Sequence, residues 1–280
     1  MRIVTDSTAD LTKELYDELD IEMVPLTIQL GERRWRDYLD VKPDEYYALL
    51  RTSTDFPTTS QPSPQDFIDV YRPIVEKNEP ILSIHISSAL SGTYQSACLA
   101  KSYFPQARIE VVDSRQASLG LALILHLCAA NVRSGHSFEA VVEQAVRLSK
   151  TVETYFSVDS LSYLQRGGRI GRAQAFLGTL MKIKPILKVV EGEVHPIEKI
   201  RTTERLIDRY VRLVEMKAAE GLPVSVVVAG SDNTHIVTAL AERLVQIPNV
   251  HVVQHCKIGG VVASHTGPGV LGIAFVHDDN

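Results

Sequence analysis

The sequence has 280 residues, of which 45% are hydrophobic and 22% are charged, and its formal net charge is −5. This length and composition indicate a globular protein with one large domain or, more naturally, two. The negative net charge argues against nucleic acid as a partner, because general binding to nucleic acid requires a basic surface.

Strands and helices alternate in the first half, starting with a short apolar strand at Arg2–Asp6. Asp10 is expected to cap the helix that follows, and the segment 23–30 is predicted to form one strand that Pro25 confines to a sheet edge. The next predicted elements are a helix from Ser63, a strand at 81–86, a helix from about Gly92, a strand at 108–113, an apolar helix after Asp113 and a helix from Ser137 to about Lys150. Such alternation is typical of a parallel sheet with right-handed crossovers.

The second half has a different pattern, which contains a hairpin. A strand at 153–160 precedes a loop rich in glycine and arginine, and residues 185–200 are predicted to form a hairpin that turns at 191–193. Two further helices, from about 203 and 234, alternate with three strands. We therefore predict an α/β fold of two domains, an N-terminal parallel-sheet domain over residues 1–152 and a C-terminal mixed-sheet domain over residues 153–280.

Three features predict a cytoplasmic protein that is not inserted in a membrane. The cysteines Cys98, Cys128 and Cys256 are far apart and form no CxxC pair, so neither a zinc site nor a disulfide framework is expected. The N-terminal sequence reaches Asp6 too early for a signal peptide. The most apolar run, 117–130, is shorter than the roughly 20 residues that span a bilayer.

A turn rich in hydroxyl groups, "SSALSGT" (Ser87–Thr93), follows one of the predicted parallel strands. Ligands of such sheets collect beyond the carboxyl ends of the strands, where this turn lies. Helix capping needs only one hydroxyl, whereas Ser88, Ser91 and Thr93 provide three. The missing side chain of Gly92 would let a ligand approach the backbone, and a helix start of this kind favours an anion.

No nucleotide-binding motif accompanies this turn, since the sequence contains neither GxxxxGK[ST] nor a GxGxxG segment after a predicted strand. A single carboxylate or phosphate is therefore the expected anion, and no metal or cofactor is expected. Similar polar turns at 5–10 and 113–118 are explained as well by capping.

The segment Ser264–Gly269 ("SHTGPG") places His265 just before a tight Gly–Pro–Gly turn. This frame would hold the imidazole in a fixed position. One interpretation is a half-buried turn histidine. The other is a histidine that donates to an oxyanion or changes its protonation near neutral pH.

Basic residues cluster around a glycine-rich loop that contains Arg166, Arg169 and Arg172, and Lys182 and Arg201 follow it. Charged runs commonly form solvated faces. In an acidic chain, such a local group of cations also suits an incoming phosphate or an acidic partner surface.

Six stretches of the sequence, in this order, resemble the DegV family of bacterial fatty-acid-binding proteins. They are "IVTDSTADL", "TTSQPSP", "ISSALSGTYQSA", "VVDSRQASLG", "LQRGGRIG" and "HTGPGVLG". They extend from Ile3 to Gly272, so the resemblance covers nearly the whole chain.

The resemblance implies two α/β domains that hold a long-chain fatty acid between them. The carboxylate of the acid would contact Thr59, Ser91 and His265. The surrounding loops would contribute four supporting residues, Ser60, Ser88, Gly92 and Thr93. The hydroxyl-rich turn would thus be an anion site because it receives the acid head group.

Apolar groups are expected to enclose the acyl chain. The candidate wall residues are the helix from Ala117 onward and Phe176, Leu177 and Leu180. Burial of each methylene is worth ~0.8 kcal/mol, so a long chain could contribute ~10 kcal/mol before ordering costs. The tail would therefore provide most of the affinity, and the head group would fix the orientation.

In systems of this family, the carrier presents its bound acid to a separate ATP-dependent fatty acid kinase, which converts the carboxylate into an acyl phosphate. By this resemblance, the partner would be the ATP-binding subunit of such a kinase. Arg169, Arg201 and Arg166 would contact that partner or the transferred phosphate.

Two other functions are alternatives. A serine hydrolase of lipid esters would use Ser91 and His265, with Asp6 or Asp113 orienting the histidine, although Ser91 does not lie in a GxSxG motif. A regulator that binds DNA would need a basic recognition helix, which the sequence does not offer.

Overall fold

The computed structural model describes residues 1–177 and 183–278. The strands in this part of the chain are β1 (Arg2–Asp6), β2 (Ile21–Val24), β3 (Thr27–Leu30), β4 (Arg33–Arg36), β5 (Thr58–Ser60), β6 (Ile81–His85), β7 (Ile109–Asp113), β8 (Glu153–Ser157), β9 (Lys184–Val190), β10 (Glu193–Ile200), β11 (Val224–Gly230), β12 (Val250–Lys257) and β13 (Leu271–His277). The α-helices are α1 (Lys13–Leu19), α2 (Pro43–Thr52), α3 (Pro64–Val75), α4 (Thr93–Lys101), α5 (Leu119–Arg133), α6 (Phe138–Thr151), α7 (Ser162–Arg166), α8 (Thr203–Ala218), α9 (Thr234–Leu244) and α10 (Gly260–Thr266). Short 3-10 segments lie at Ser7–Ala9 and Gly171–Phe176.

The first half forms the predicted parallel sheet. Its four strands have the order β2-β1-β6-β7, and all three neighbouring pairs are parallel. The helix predicted from Ser63 is confirmed, because the Ser63 side chain accepts a hydrogen bond from the Asp66 amide and Pro64 occupies the first helical position.

The second half forms a mixed six-stranded sheet with the order β10-β9-β8-β13-β11-β12. β11 and β12 are parallel, whereas the other neighbouring pairs are antiparallel. The hairpin of β9 and β10 turns at Glu191–Gly192, as predicted. The α/β fold class with a parallel and a mixed sheet is thus confirmed, and the domain limit between residues 152 and 153 remains a proposal.

The single strand predicted at 23–30 is wrong. Pro25 has no N–H group to continue a ladder, and the chain leaves the parallel sheet there. β2 pairs with β1, but β3 belongs to a separate antiparallel sheet with the order β4-β3-β5. The helix α2, which lies between β4 and β5 in the sequence, was not predicted either.

Asp10 does not cap a helix start, so that prediction is also wrong. Its φ of 55° is left-handed, and α1 begins three residues later with Thr12 as its N-cap. The buried Asp10 carboxylate instead accepts hydrogen bonds from the Gly259 amide, at 3.0 Å, and from the Ser118 hydroxyl. It therefore links the start of α5 to the start of α10.

The apolar helix α5 joins the two large sheets. Its side chains are buried along most of its length, and it packs on β6 of the parallel sheet and on β11 and β13 of the mixed sheet. The largest hydrophobic core accordingly contains residues from both halves of the chain. Within the described residues, no helix has both the length and the apolar character needed to cross a bilayer.

Candidate ligand-binding site

A cavity of about 360 Å³ lies where the two halves of the chain meet. Most of its wall is apolar, with side chains that include Leu26, Ile86, Leu119, Phe156, Val189 and Ile258. These residues come from β8, β9 and the start of α5, and from segments next to β2, β6 and α10. Both large sheets and the small sheet thus contribute to one apolar enclosure, which is the usual character of a small-molecule site.

The cavity opens to solvent beside a group of polar residues. Ser60 and Arg169 are exposed and also line the cavity. Thr59, Ser91 and His265 line it as well and are half-buried. The three residues predicted to hold a carboxylate therefore lie on the wall of the same cavity.

His265 lies near the end of α10, a helix that the sequence analysis missed. Gly267, with a φ of 75°, terminates α10 and so provides the predicted turn after the histidine. Burial, the larger cause, and the nearby positive charge of Arg169 together lower the pKa of His265 to about 4. The imidazole is therefore neutral at pH 7.

The neutral imidazole is held from two sides. Its Nε2 and the Oγ1 of Thr59 share a hydrogen bond of 2.8 Å. On the other side, Gly167 lies so close to Nδ1 that a Cβ at this position would collide with the ring. Arg169 donates hydrogen bonds to the Gly167 carbonyl, at 2.7 Å, and to the Leu90 carbonyl, at 3.1 Å. The glycine-rich loop thus packs against His265 and reaches the hydroxyl-rich turn.

Thr59 reaches the cavity because of the small antiparallel sheet. It lies on β5 opposite Ile28 of β3, and α10 packs against both strands. Since the sequence analysis did not predict this sheet, local patterns alone did not indicate why Thr59 and His265 meet.

The turn before α4 holds Ser91 in place. The Ser91 amide donates to the Ser87 carbonyl at 3.0 Å, and its hydroxyl lies 2.8 Å from that of Thr93. The space beside Gly92 is filled in a way that differs from the prediction. A Cβ on Gly92 would collide with the side chain of Gln61, which donates a 3.2 Å hydrogen bond to the Gly92 carbonyl. Gln61, rather than a ligand, therefore occupies the space beside Gly92.

The sequence matches a known protein family along nearly its whole length. Residues 1–278 match a family profile described as an uncharacterised protein of the DegV family. The chain belongs to the DegV family. Protein DegV from Bacillus subtilis is 34% identical to this chain over 275 residues, which are 98% of each protein.

Solved structures of other proteins are also similar over nearly the whole chain. A DegV family protein from Thermus thermophilus that binds fatty acid has a TM-score of 0.92 and 39% identity, with 99% of this chain and 100% of that chain covered. A stearic acid-binding protein from Eubacterium ventriosum has a TM-score of 0.88 and 30% identity, with 99% of this chain and 98% of that chain covered. Fatty-acid binding is thus an observed property of DegV family relatives.

The remaining residues predicted from the DegV motifs do not all lie on the cavity. Ser88 donates its amide and hydroxyl hydrogens to Asp113, and Thr93 is buried against Ser91. Both therefore stabilise the hydroxyl-rich turn without lining the cavity. The guanidinium of Arg166 lies over the ring of Phe56, 5.1 Å from its centroid.

Of the arginines predicted to contact a partner, only Arg169 lines the cavity. Arg166 and Arg201 are exposed, at the end of α7 and just after β10 respectively. Arg169 alone therefore combines an exposed charge with a direct position at the cavity opening.

The serine hydrolase arrangement of Ser91 and His265 is not assembled. His265 is bonded to Thr59 through Nε2, and its Nδ1 has no hydrogen-bond partner in the described part of the chain. Asp6 bonds to a different buried histidine, and Asp113 accepts hydrogen bonds from the turn after β6. No carboxylate of residues 1–177 or 183–278 thus orients the imidazole as a hydrolytic triad requires.

The predicted apolar wall is correct only in part. Ala117 and Leu119, at the start of the apolar helix, line the cavity. Phe176 and Leu177 instead pack at the edge of the main hydrophobic core, and Leu180 and Lys182 lie outside the described residues. The wall residues of β8, β9 and β10 were not predicted, since alternating apolar residues on a strand do not reveal which sheet face encloses a cavity.

Proposed function

We propose that this protein binds a long-chain fatty acid in the cavity and acts as a carrier. The carboxylate would lie at Thr59, Ser91 and His265, and the acyl chain would fill the apolar part. The observation that carries this proposal is the apolar cavity whose solvent-facing side bears two hydroxyls and a neutral imidazole. Fatty-acid binding by DegV family relatives supports the same ligand class.

The proposed head-group site suits an anion despite its neutral side chains. Hydroxyls can donate to a carboxylate, and hydrogen bonds to charged groups contribute about 1.5–3 kcal/mol each. The guanidinium of Arg169 adds a positive charge near the opening. The site should therefore bind a fatty acid with an ionised carboxylate more tightly than a lipid of the same chain length whose head group is uncharged.

Native mass spectrometry of the purified protein, followed by identification of any released lipid, tests this proposal. We expect a bound fatty acid. After removal of lipid, the protein should bind stearic acid more tightly than stearyl alcohol, which has the same chain without the carboxylate. A protein that carries no lipid and binds neither compound would rule out the proposal.

We further propose that the bound acid is presented to a separate ATP-dependent kinase, in which a carboxylate oxygen attacks the γ-phosphorus of ATP and ADP leaves. The lack of a GxxxxGK[ST] motif in the sequence and the exposed position of Arg169 beside the head-group site support this role. Because ATP is the phosphate donor, the proposal includes a cytoplasmic location.

Acyl-phosphate formation is expected only when fatty acid, ATP, this protein and the ATP-binding kinase subunit are combined. The variant His265→Ala should impair that reaction. Normal acyl-phosphate formation by this variant would remove the histidine from the mechanism, and no product from the complete wild-type mixture would remove the kinase role while leaving fatty-acid binding untouched.

A further inference from the structure

The residues proposed to hold the carboxylate form two separate parts. Thr59 and His265 are joined directly by their 2.8 Å hydrogen bond. Ser91 belongs to the turn before α4, and its amide and hydroxyl are bonded to Ser87 and Thr93 of the same turn. A carboxylate that contacts both parts therefore depends on what holds this turn in place relative to Thr59.

The side chain of Gln61 connects the two parts. Gln61 lies two residues after Thr59, between β5 and α3, and it lines the cavity. Its Nε2 donates to the Gly92 carbonyl at 3.2 Å and to the Ser96 hydroxyl at 3.0 Å. The amide nitrogen carries two hydrogens, so both bonds can form at the same time. One side chain thus links the end of β5 to the turn that contains Ser91.

Gln61 has a fixed position although the residue is exposed. Ser96 is only 3% exposed and lies in the first turn of α4, so it anchors the Gln61 amide to the helix. The Oε1 of Gln61 occupies the space that a Cβ on Gly92 would fill. Pro62 follows directly and restricts the Gln61 backbone to extended conformations. The side chain is therefore constrained at both ends.

A second side chain holds the same turn. The Nε of Arg169 donates to the Leu90 carbonyl at 3.1 Å. Leu90 and Gly92 are the two neighbours of Ser91, so the carbonyls on both sides of this serine accept hydrogen bonds from distant segments. Arg169 connects the turn to the glycine-rich loop, whereas Gln61 connects it to the strand of Thr59. Of these two contacts, the Gln61 contact is the one that relates Ser91 to Thr59.

We propose that Gln61 is a positioning residue of the carboxylate site, which holds the Ser91 turn where one carboxylate can contact both Ser91 and Thr59. This inference rests on the proposed fatty-acid-binding function. Gln61 acts through Ser91, because a hydroxyl that is held in place before the ligand arrives has a smaller ordering cost on binding.

The variant Gln61→Met tests this role, since methionine has a similar length but no hydrogen-bond donor. Isothermal titration of the delipidated variant should show a Kd for stearic acid about fivefold higher than that of the wild type, as the ordering of one side chain on binding would produce. The Kd for stearyl alcohol, which depends mainly on the alkyl chain, should stay within about twofold of the wild-type value. A general loosening of the cavity would instead raise both values.

The variant Gln65→Met is a matched control. Gln65 is also exposed, but its side chain donates only to Asp69 on the same helix, α3. It does not line the cavity. Gln65→Met should therefore bind stearic acid like the wild type.

A double-mutant cycle shows whether Gln61 acts through Ser91. Ser91→Ala alone should raise the Kd for stearic acid about tenfold, because it removes one hydrogen bond to a charged group. If Gln61 only positions Ser91, adding Gln61→Met to Ser91→Ala should cause no further loss. Independent contributions would multiply, and the double variant would then bind about fiftyfold more weakly than the wild type.

The outcomes separate this inference from the function on which it rests. Wild-type affinity of Gln61→Met for stearic acid, an equal loss for stearic acid and stearyl alcohol, or a multiplied loss in the double variant would each overturn the inference and leave fatty-acid binding intact. Failure of the wild-type protein to bind stearic acid would overturn both proposals.

Discussion

The Nε2 of His265 lies 2.8 Å from the Oγ1 of Thr59, although 206 positions separate the two residues in the sequence. Thr59 belongs to the small antiparallel sheet and His265 to α10, so the bond joins two elements at the cavity opening. Both atoms already have a partner before a ligand binds. A carboxylate can therefore be received by groups whose positions are set in advance, which reduces the ordering cost of binding.

Removal of the Thr59 or Ser91 hydroxyl should weaken fatty-acid binding without unfolding the protein. We expect Thr59→Val and Ser91→Ala each to raise the Kd for stearic acid about tenfold, since each removes one hydrogen bond to a charged group. Isothermal titration of the delipidated variants measures this change. Thr58→Val is a matched control, because Thr58 is the exposed neighbour on the same strand and should bind like the wild type. Wild-type affinity in both site variants would show that the carboxylate lies elsewhere.

Gly167 and Gly168 are adjacent, but glycine is favoured at each for a different reason: space for the His265 ring at Gly167 and a left-handed backbone at Gly168. A Cβ on Gly167 would collide with the His265 ring, whereas Gly168 has open space around it but a φ of +69°. Gly167→Ala should displace the imidazole, alter the NMR signals of His265 and weaken stearic acid binding. Gly168→Ala should cost about 1 kcal/mol of unfolding free energy through its left-handed backbone and leave binding unchanged. Identical effects of the two substitutions would contradict this distinction.

Local sequence signals predicted most of the two large sheets. The Ser63–Pro64 helix start and the hairpin at 191–193 depend on neighbouring residues only, so the sequence was sufficient. The small sheet was missed because its strands have three or four residues and pair across loops. Pro25 predicts an edge strand from the local sequence, but whether a proline marks a sheet edge or ends the strand depends on which strand the following residues pair with.

Sequence motifs predicted individual residues of the site but not the contacts between residues that are distant in the sequence. The DegV resemblance named Thr59, Ser91 and His265, which line one cavity. The role of Gly92 could not be inferred from its own neighbours, because Gln61 reaches it from 31 positions away.

The charge of Arg169 should help to keep His265 neutral. Burial is the larger cause of the low pKa of about 4, and the Arg169 guanidinium is the second. Arg169→Gln should therefore raise the His265 pKa part of the way towards its ordinary value of 6.5. Arg169→Lys keeps the charge and should leave the pKa low. NMR titration of the imidazole measures both, and an unchanged pKa in Arg169→Gln would mean that burial alone sets it.

Asp37 should make the protein less stable as the pH rises from about 4 to about 7. Burial raises the pKa of this carboxyl from its ordinary 3.8 to about 7, and the Gly260 amide at the start of α10 donates to it at 3.2 Å. Between pH 4 and 7, the folded protein therefore binds this proton more tightly than the unfolded chain does. Its contribution to the free energy of unfolding is complete below pH 4 and is lost as the pH rises through 7.

The variant Asp37→Asn tests this dependence, because the amide cannot ionise. Chemical denaturation at pH 5 and pH 8 should show a smaller loss of unfolding free energy in the variant than in the wild type. Asp40→Asn provides the contrast. The exposed Asp40 carboxylate bonds to Arg36, which lowers its pKa, so any contribution from this pair is lost as the pH falls rather than as it rises. The same pH dependence in wild type and Asp37→Asn would show that Asp37 is ionised in the folded protein at pH 5.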